Sequence, residues 1–123
     1  MICVIDILFL FSVVIPLASA TKKQTSLCIY IDPGHGGYDG GCTSKDKQTL
    51  EKDITLNVSL YLASYLRQSG YIVKLTRETD TALNKTKRED IYKRVKMIND
   101  SNANLYISIH ANAYPSTYAK GAQ

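Results

Sequence analysis

The sequence predicts an α/β fold, a mostly parallel sheet with helices on both faces. Short apolar runs alternate with longer stretches of helical period in the order β-loop-α-β-loop-α-β, and strands that alternate with helices form parallel sheets through right-handed crossovers. The first run, Leu27-Cys28-Ile29-Tyr30-Ile31, carries no charge and reads as a strand buried on both faces.

That strand is stopped by Asp32-Pro33-Gly34. Five glycines follow between Gly34 and Gly41, an irregular loop in which backbone can approach a ligand closely. It lacks the Gly-Lys-Ser/Thr ending of a phosphate cradle. Lys45-Asp46-Lys47-Gln48 is a polar loop tip. From Leu50 the period changes: Leu50, Ile54, Asn57/Val58, Tyr61/Leu62 and Tyr65 recur at three and four, an amphipathic helix ending at Ser69-Gly70. Thr49 is placed to be its N-cap. Tyr71 to Thr76 is the second strand and Arg77 to Thr86 a polar loop. Ile91, Val95 and Ile98 mark a second helix over roughly Arg88 to Asp100, and Leu105 to Ile109 is the third strand. There is no internal repeat and no low-complexity segment.

Residues 1–20 read as a signal peptide, with an uncleaved N-terminal anchor as the alternative. Ile7 to Leu17 is apolar, and Ala18-Ser19-Ala20 offers the small residues a signal peptidase requires. The run falls short of the roughly 20 apolar residues that span a bilayer. The leader has no Lys or Arg and contains Asp6; a start codon further upstream would supply the missing positive charge. Residues 21–123 then form at most one domain. Losing Asp6 with the leader raises the net charge from +4 to +5, which suits a polyanionic surrounding such as a bacterial wall. The bases between Lys85 and Lys96 are interspersed with acids and not with stacking aromatics, which argues against nucleic acid as a partner. A membrane is contacted only through an uncleaved leader.

Of three cysteines, Cys3 lies in the leader and Cys28 in the first strand. No CxxC or CxxxC spacing exists, so a thiolate zinc site is not indicated. Cys42 reads as a bystander loop cysteine, with a fourth metal ligand as the alternative.

The chemistry concentrates in three residues. The chain has two histidines, His35 after strand one and His110 after strand three, and Glu51 opens the first helix. In a parallel sheet the C-terminal strand ends share one edge, and a helix reached from that edge begins near it, so the three side chains can converge. Two imidazoles and a carboxylate form the protein ligands of a hydrolytic zinc site. Each residue alone has a plainer reading: a packed or surface histidine, or an acid favoured by the helix dipole.

Four segments together resemble the zinc-dependent N-acetylmuramoyl-L-alanine amidases: Asp32-Pro33-Gly34-His35-Gly36-Gly37, Glu51-Lys52-Asp53, Thr76-Arg77-Glu78-Thr79-Asp80 and Ser108-Ile109-His110-Ala111-Asn112. Lys87-Arg88-Glu89-Asp90, Lys93 to Asn99 and Lys120-Gly121-Ala122-Gln123 are most similar to the germination amidases of endospore-forming bacteria. The resemblance implies that His35, Glu51 and His110 bind Zn2+, and that a zinc-activated water attacks the amide joining the lactyl group of muramic acid to L-alanine. It implies export to the cell envelope, the forespore-cortex space of an endospore former. It also implies peptidoglycan as substrate, a deacetylase acting in the same pathway, and room for an accessory protein. The family's catalytic glutamate and a further strand and helix are expected beyond Gln123. The sequence therefore reads as the N-terminal portion of a catalytic domain, with its C-terminal part missing, its expected catalytic Glu absent and the chain inactive alone. Asp32 is placed to support a ligand, and Glu89 and Asp90 belong to a helix away from the motif. No catalytic acid/base or substrate-binding residue is assigned. Two alternatives stand beside the amidase: a zinc carboxypeptidase, which would use Arg77, Arg88 or Arg94 against a free carboxylate, and a non-catalytic wall-binding remnant.

Overall fold

The computed structural model describes residues 27–111. The proposed leader lies outside them, as does the Lys120 to Gln123 segment. Their order is β1 (Cys28–Pro33), α1 (Glu51–Gln68), β2 (Ile72–Leu75), α2 (Lys87–Asn99) and β3 (Leu105–Ile109). The three strands form one parallel sheet in the order β2-β1-β3. β1 is central, with Ile31 aligned to Leu75 on one side and to Ile107 on the other. Connections from β1 to β2 and from β2 to β3 run in opposite directions across the sheet, which sends α1 and α2 to opposite faces. The α/β reading with a parallel sheet and flanking helices is what the structure contains.

Side chains alternate across the pleat, and the two faces differ in chemistry. Ile29, Ile31, Val73 and Leu75 form the core with Ala63 of α1, joined by Leu60, Leu62, Leu66, Ile107 and Ile109. The opposite face presents Asp32, Tyr106 and Ser108, and α2 meets it with Asp90 and Arg94, which are its buried residues.

Both helices exist where the periodicity places them, but their buried faces differ from the sequence reading. In α1 the residues against the sheet are Thr55, Ser59 and Ala63, spaced by four. Ile54, Val58, Tyr61 and Tyr65 are exposed, Tyr61 at 79%. Small side chains let the helix axis lie close to β1, and Thr55 Oγ1 donates to Gly34 O at 2.8 Å. In α2, Ile91 and Val95 are likewise exposed while Arg94 is buried.

The capping of α1 also departs from expectation. Its N-cap is Leu50, with no side-chain cap, in place of Thr49. The loop backbone takes that role: Glu51 N–H donates to Cys42 O at 2.8 Å and Lys52 N–H to Gly40 O at 3.1 Å. α2 is N-capped by Thr86, whose hydroxyl accepts from Glu89 N–H and donates to Glu89 Oε2.

Candidate metal centre

The order β2-β1-β3 makes the gap between the C-terminal ends of β1 and β3 a topological switch point, the crevice in which open α/β sheets bind ligands. His35 follows β1 by two residues and His110 follows β3 directly. Glu51 arrives from below as the first residue of α1. Glu51 Oε1 lies 3.2 Å from His35 Nε2 and 3.2 Å from His110 Nδ1. The imidazoles meet edge to face, centroids 4.9 Å apart at 81°. One ligand atom from each residue falls within 4.8 Å of the others.

Glu51 is 4% exposed. Burial by itself would raise its pKa, but N–H groups of Cys42 and Ala111, each donating at 2.9 Å, and the nearby His35 pull it down to about 2. The carboxylate is thus held ionised inside the protein. Fixed negative charge beside two imidazole nitrogens suits a divalent cation of intermediate softness, and this donor set and spacing are consistent with zinc.

Two glycines make the approach possible. A Cβ on Gly34 would lie 2.3 Å from His110 Cε1, and one on Gly41 would lie 2.8 Å from Glu51 Oε2 and 2.7 Å from His35 Cδ2. His35 itself has φ of 62°, a left-handed conformation that is uncommon away from glycine. Two buried arginines hold the loop there. Arg77 donates from Nε to Pro33 O at 3.1 Å and from Nη2 to Gly34 O at 2.8 Å. Arg94 donates from Nη1 to Pro33 O at 2.7 Å and from Nη2 to His35 O at 2.6 Å. Three successive carbonyls are gripped by guanidinium forks, which offsets the strain at His35.

This geometry corrects several expectations. Asp32 supports neither histidine: it accepts from Thr76 Oγ1 at 2.6 Å, Arg94 Nη1 at 2.7 Å and Tyr106 OH at 3.1 Å. The acid beside a ligand is Asp39, whose Oδ2 lies 2.9 Å from His35 Nδ1. Burial works against ionisation of Asp39, yet the His35 hydrogen bond, the Gly41 N–H and Lys87 keep its pKa below the usual carboxylate range. Arg77 is spent on backbone carbonyls, Arg94 on carbonyls and on the carboxylates of Asp32 and Asp90, and Arg88 lies over the Tyr92 ring at 5.6 Å. Cys42 is exposed, and contributes its backbone N–H to Glu51 while standing outside the cluster of ligand atoms. Cys28 and Cys42 are both free thiols.

The expectation of a chain inactive for want of its catalytic Glu is also corrected. The described residues hold an intact His35-Glu51-His110 set, with the glutamate buried at its centre. The set that the sequence assigned to the metal is whole, and the reading of the chain as inactive is withdrawn.

Residues 29–123 match the family model described as N-acetylmuramoyl-L-alanine amidase. The chain belongs to that family. Its relatives include the germination-specific N-acetylmuramoyl-L-alanine amidase of Bacillus subtilis, 50% identical over 103 residues that span 77% of this chain and 43% of the relative. Among solved structures, the CwlD amidase from Clostridioides difficile in complex with the GerS lipoprotein superposes with a TM-score of 0.72 at 41% identity, covering 76% of this chain and 52% of that one. The catalytic domain of CwlV, an amidase from Bacillus (Paenibacillus) polymyxa, superposes with a TM-score of 0.66 at 34% identity, over 76% and 49% of the two chains. The chain spans about half the length of these relatives, or less.

Sequence reasoning offered Asp39 only as a possible proton carrier and Arg77 and Arg94 only as possible carboxylate binders, and missed their hold on His35 and its loop. Asp39 carried a signal, being four residues beyond His35 in a glycine-rich loop. Arg94 carried none, since on α2 it is one base among several.

Proposed function

We propose that this site hydrolyses the amide between N-acetylmuramic acid and L-alanine in peptidoglycan, with spore cortex as the working substrate. In this reading His35, Glu51 and His110 hold zinc. One observation carries it: a buried, ionised glutamate and two imidazoles converge at the switch point of a sheet belonging to the amidase family. Likeness to a germination-specific amidase favours cortex over vegetative wall. The net positive charge suits export into a polyanionic envelope. Among the described residues no helix is long and apolar enough to cross a membrane. An accessory lipoprotein is a reasonable partner because the C. difficile relative is complexed with one. A deacetylase acting on the stripped muramic acid completes the pathway.

Bound at the triad, zinc supplies Lewis-acid polarisation of the scissile carbonyl and acidification of the attacking water. The protein's part is placement. Glu51 brings a carboxylate kept charged by two backbone N–H groups. His35 is steadied by Asp39, and the arginines keep its loop from relaxing. A cavity of about 290 Å³ opens beside the histidines, lined by Asp39 and, from α2, by Lys87, Ile91 and Val95, room for a substituent flanking the amide.

The test is product chemistry. Zinc-loaded protein is incubated with cortex muropeptides and the products are read by mass spectrometry, with His110→Ala as control. Release of peptides bearing a free L-alanine amino terminus, lost in the variant, is the expected result. Release of a terminal amino acid would mean a carboxypeptidase, and wall binding without cleavage would mean a binding module; either overturns the proposal.

A further inference from the structure

We propose that Asp39 is the positioning residue of the metal centre: it fixes the His35 proton on Nδ1 and so aims the Nε2 lone pair at Glu51 and the metal. The inference rests on the zinc reading for its consequence but not for its geometry.

A carboxylate can only accept hydrogen bonds. Asp39 Oδ2 lies 2.9 Å from His35 Nδ1, so Nδ1 is the donor and carries the proton. Nε2 lies 3.2 Å from Glu51 Oε1 without the alignment of a hydrogen bond to it, so in a neutral ring the proton belongs to Nδ1 and Nε2 is unprotonated. Two acceptors turned toward each other at that separation form a cation site. Histidine ligands commonly donate their second N–H to a carboxylate or carbonyl, which sets ring orientation and raises basicity.

Asp39 is itself well fixed. It closes a tight hairpin with Gly36, N–H to O at 2.9 Å one way and 3.1 Å the other. Its second oxygen, Oδ1, accepts from Gly41 N–H at 3.3 Å. Lys87, in the first turn of α2, reaches Oδ2 at 3.4 Å and ties the second helix to the metal loop. The two histidines are therefore unequal. His35 is pre-set by a carboxylate with its side chain 13% exposed, whereas the His110 side chain is 42% exposed and presents Nδ1 to the same glutamate oxygen.

Two measurements on the full chain test this. In metal-free protein at neutral to mildly alkaline pH, long-range 1H–15N correlation spectra of the imidazoles report the tautomer directly. His35 is expected as the Nδ1–H form in the wild type and as a mixture, or the Nε2–H form, in Asp39→Ala. Zinc affinity by chelator competition should fall 10- to 100-fold in Asp39→Ala. It should fall less in Asp39→Asn, whose amide oxygen still accepts from Nδ1. A wild-type His35 protonated on Nε2 overturns the proposal, as does an Asp39→Ala variant that loses zinc with its tautomer unchanged, because Asp39 would then be merely structural. A shifted tautomer in a protein that binds no zinc would leave the Asp39 role standing and refute the zinc reading instead.

Discussion

Gly34→Ala isolates the steric condition for the metal centre. Gly34 does not occupy the left-handed region, so alanine meets no backbone penalty there. The added Cβ would lie 2.3 Å from His110 Cε1, 2.5 Å from Nε2 and 2.7 Å from Nδ1. Carbon atoms rest at about 3.5 Å or more, so the His110 ring must retreat by roughly 1.2 Å. Zinc–nitrogen bonds tolerate only about 0.2 Å around 2.0–2.1 Å. The displacement is several times that tolerance, and His110 is lost as a ligand. Zinc affinity should fall by at least about 100-fold, close to 2.8 kcal/mol, measured by chelator competition. The metal-free melting temperature should stay within about 3 °C, a shift below 1 kcal/mol for a domain of this size. Gly40→Ala is the matched control, since its Cβ would meet the Leu50 methyls at 3.6 and 3.7 Å, ordinary contact. Wild-type zinc affinity in Gly34→Ala would refute the claim that β1 and β3 bring His110 onto the loop.

Arg94→Met leaves Asp32 and Asp90 buried without their guanidinium; a loss of about 3–5 kcal/mol is expected in denaturant unfolding, only partly recovered by Arg94→Lys because an ammonium cannot reproduce the fork. Ser59→Ala should be neutral or stabilise by up to about 1 kcal/mol in the same assay, because Ser59 Oγ is buried with no hydrogen-bond partner. Asp80 has a pKa lowered by the Lys52 ammonium and the Gly37 N–H. Its contribution is present above the ordinary carboxylate value near 4 and is lost as pH falls through the lowered one. Asp80→Asn should therefore flatten the acid limb of a melting-temperature profile below about pH 4, with little change near neutrality beyond the loss of an exposed ion pair.

The sequence and the structure agree where a single physical rule acts and part where two compete. β1 was legible because a central parallel strand is covered on both faces, and the short run Leu105 to Ile109 matches the observed β3 end for end. Helix positions were legible from period, but not the faces they bury. Spacing of the large apolar residues put Ile54, Val58, Tyr61/Leu62 and Tyr65 inward, whereas the structure buries Thr55, Ser59 and Ala63 and, of that series, packs Leu62 against the core. Close approach to a strand already crowded with Ile29 and Ile31 rewards small side chains, and a hydrophobicity pattern does not encode interaxial distance. On the α2 side the pairing is electrostatic, Arg94 with Asp32 and Asp90, and no apolar period announces a buried ion network.

The metal centre was the most legible part because its residues follow from topology. A histidine one or two positions past a parallel strand must emerge at the C-terminal edge, and Glu51 at a helix start reached from that edge must lie near it. What the spacing could not give was the support. Asp39 depends on a four-residue hairpin, Gly36 to Asp39, entered from His35 at a φ of 62°, and the backbone leading into it is held by carbonyl contacts to Arg77 and Arg94 from distant parts of the chain. Asp32, directly at the strand end, looked the better placed acid. It lies on the β1 face opposite the core, toward α2, and its charge is taken by Arg94. Directionality of the pleat thus decides which acid meets His35: the one in the strand points into the ion network, and the one in the loop turns back to the imidazole.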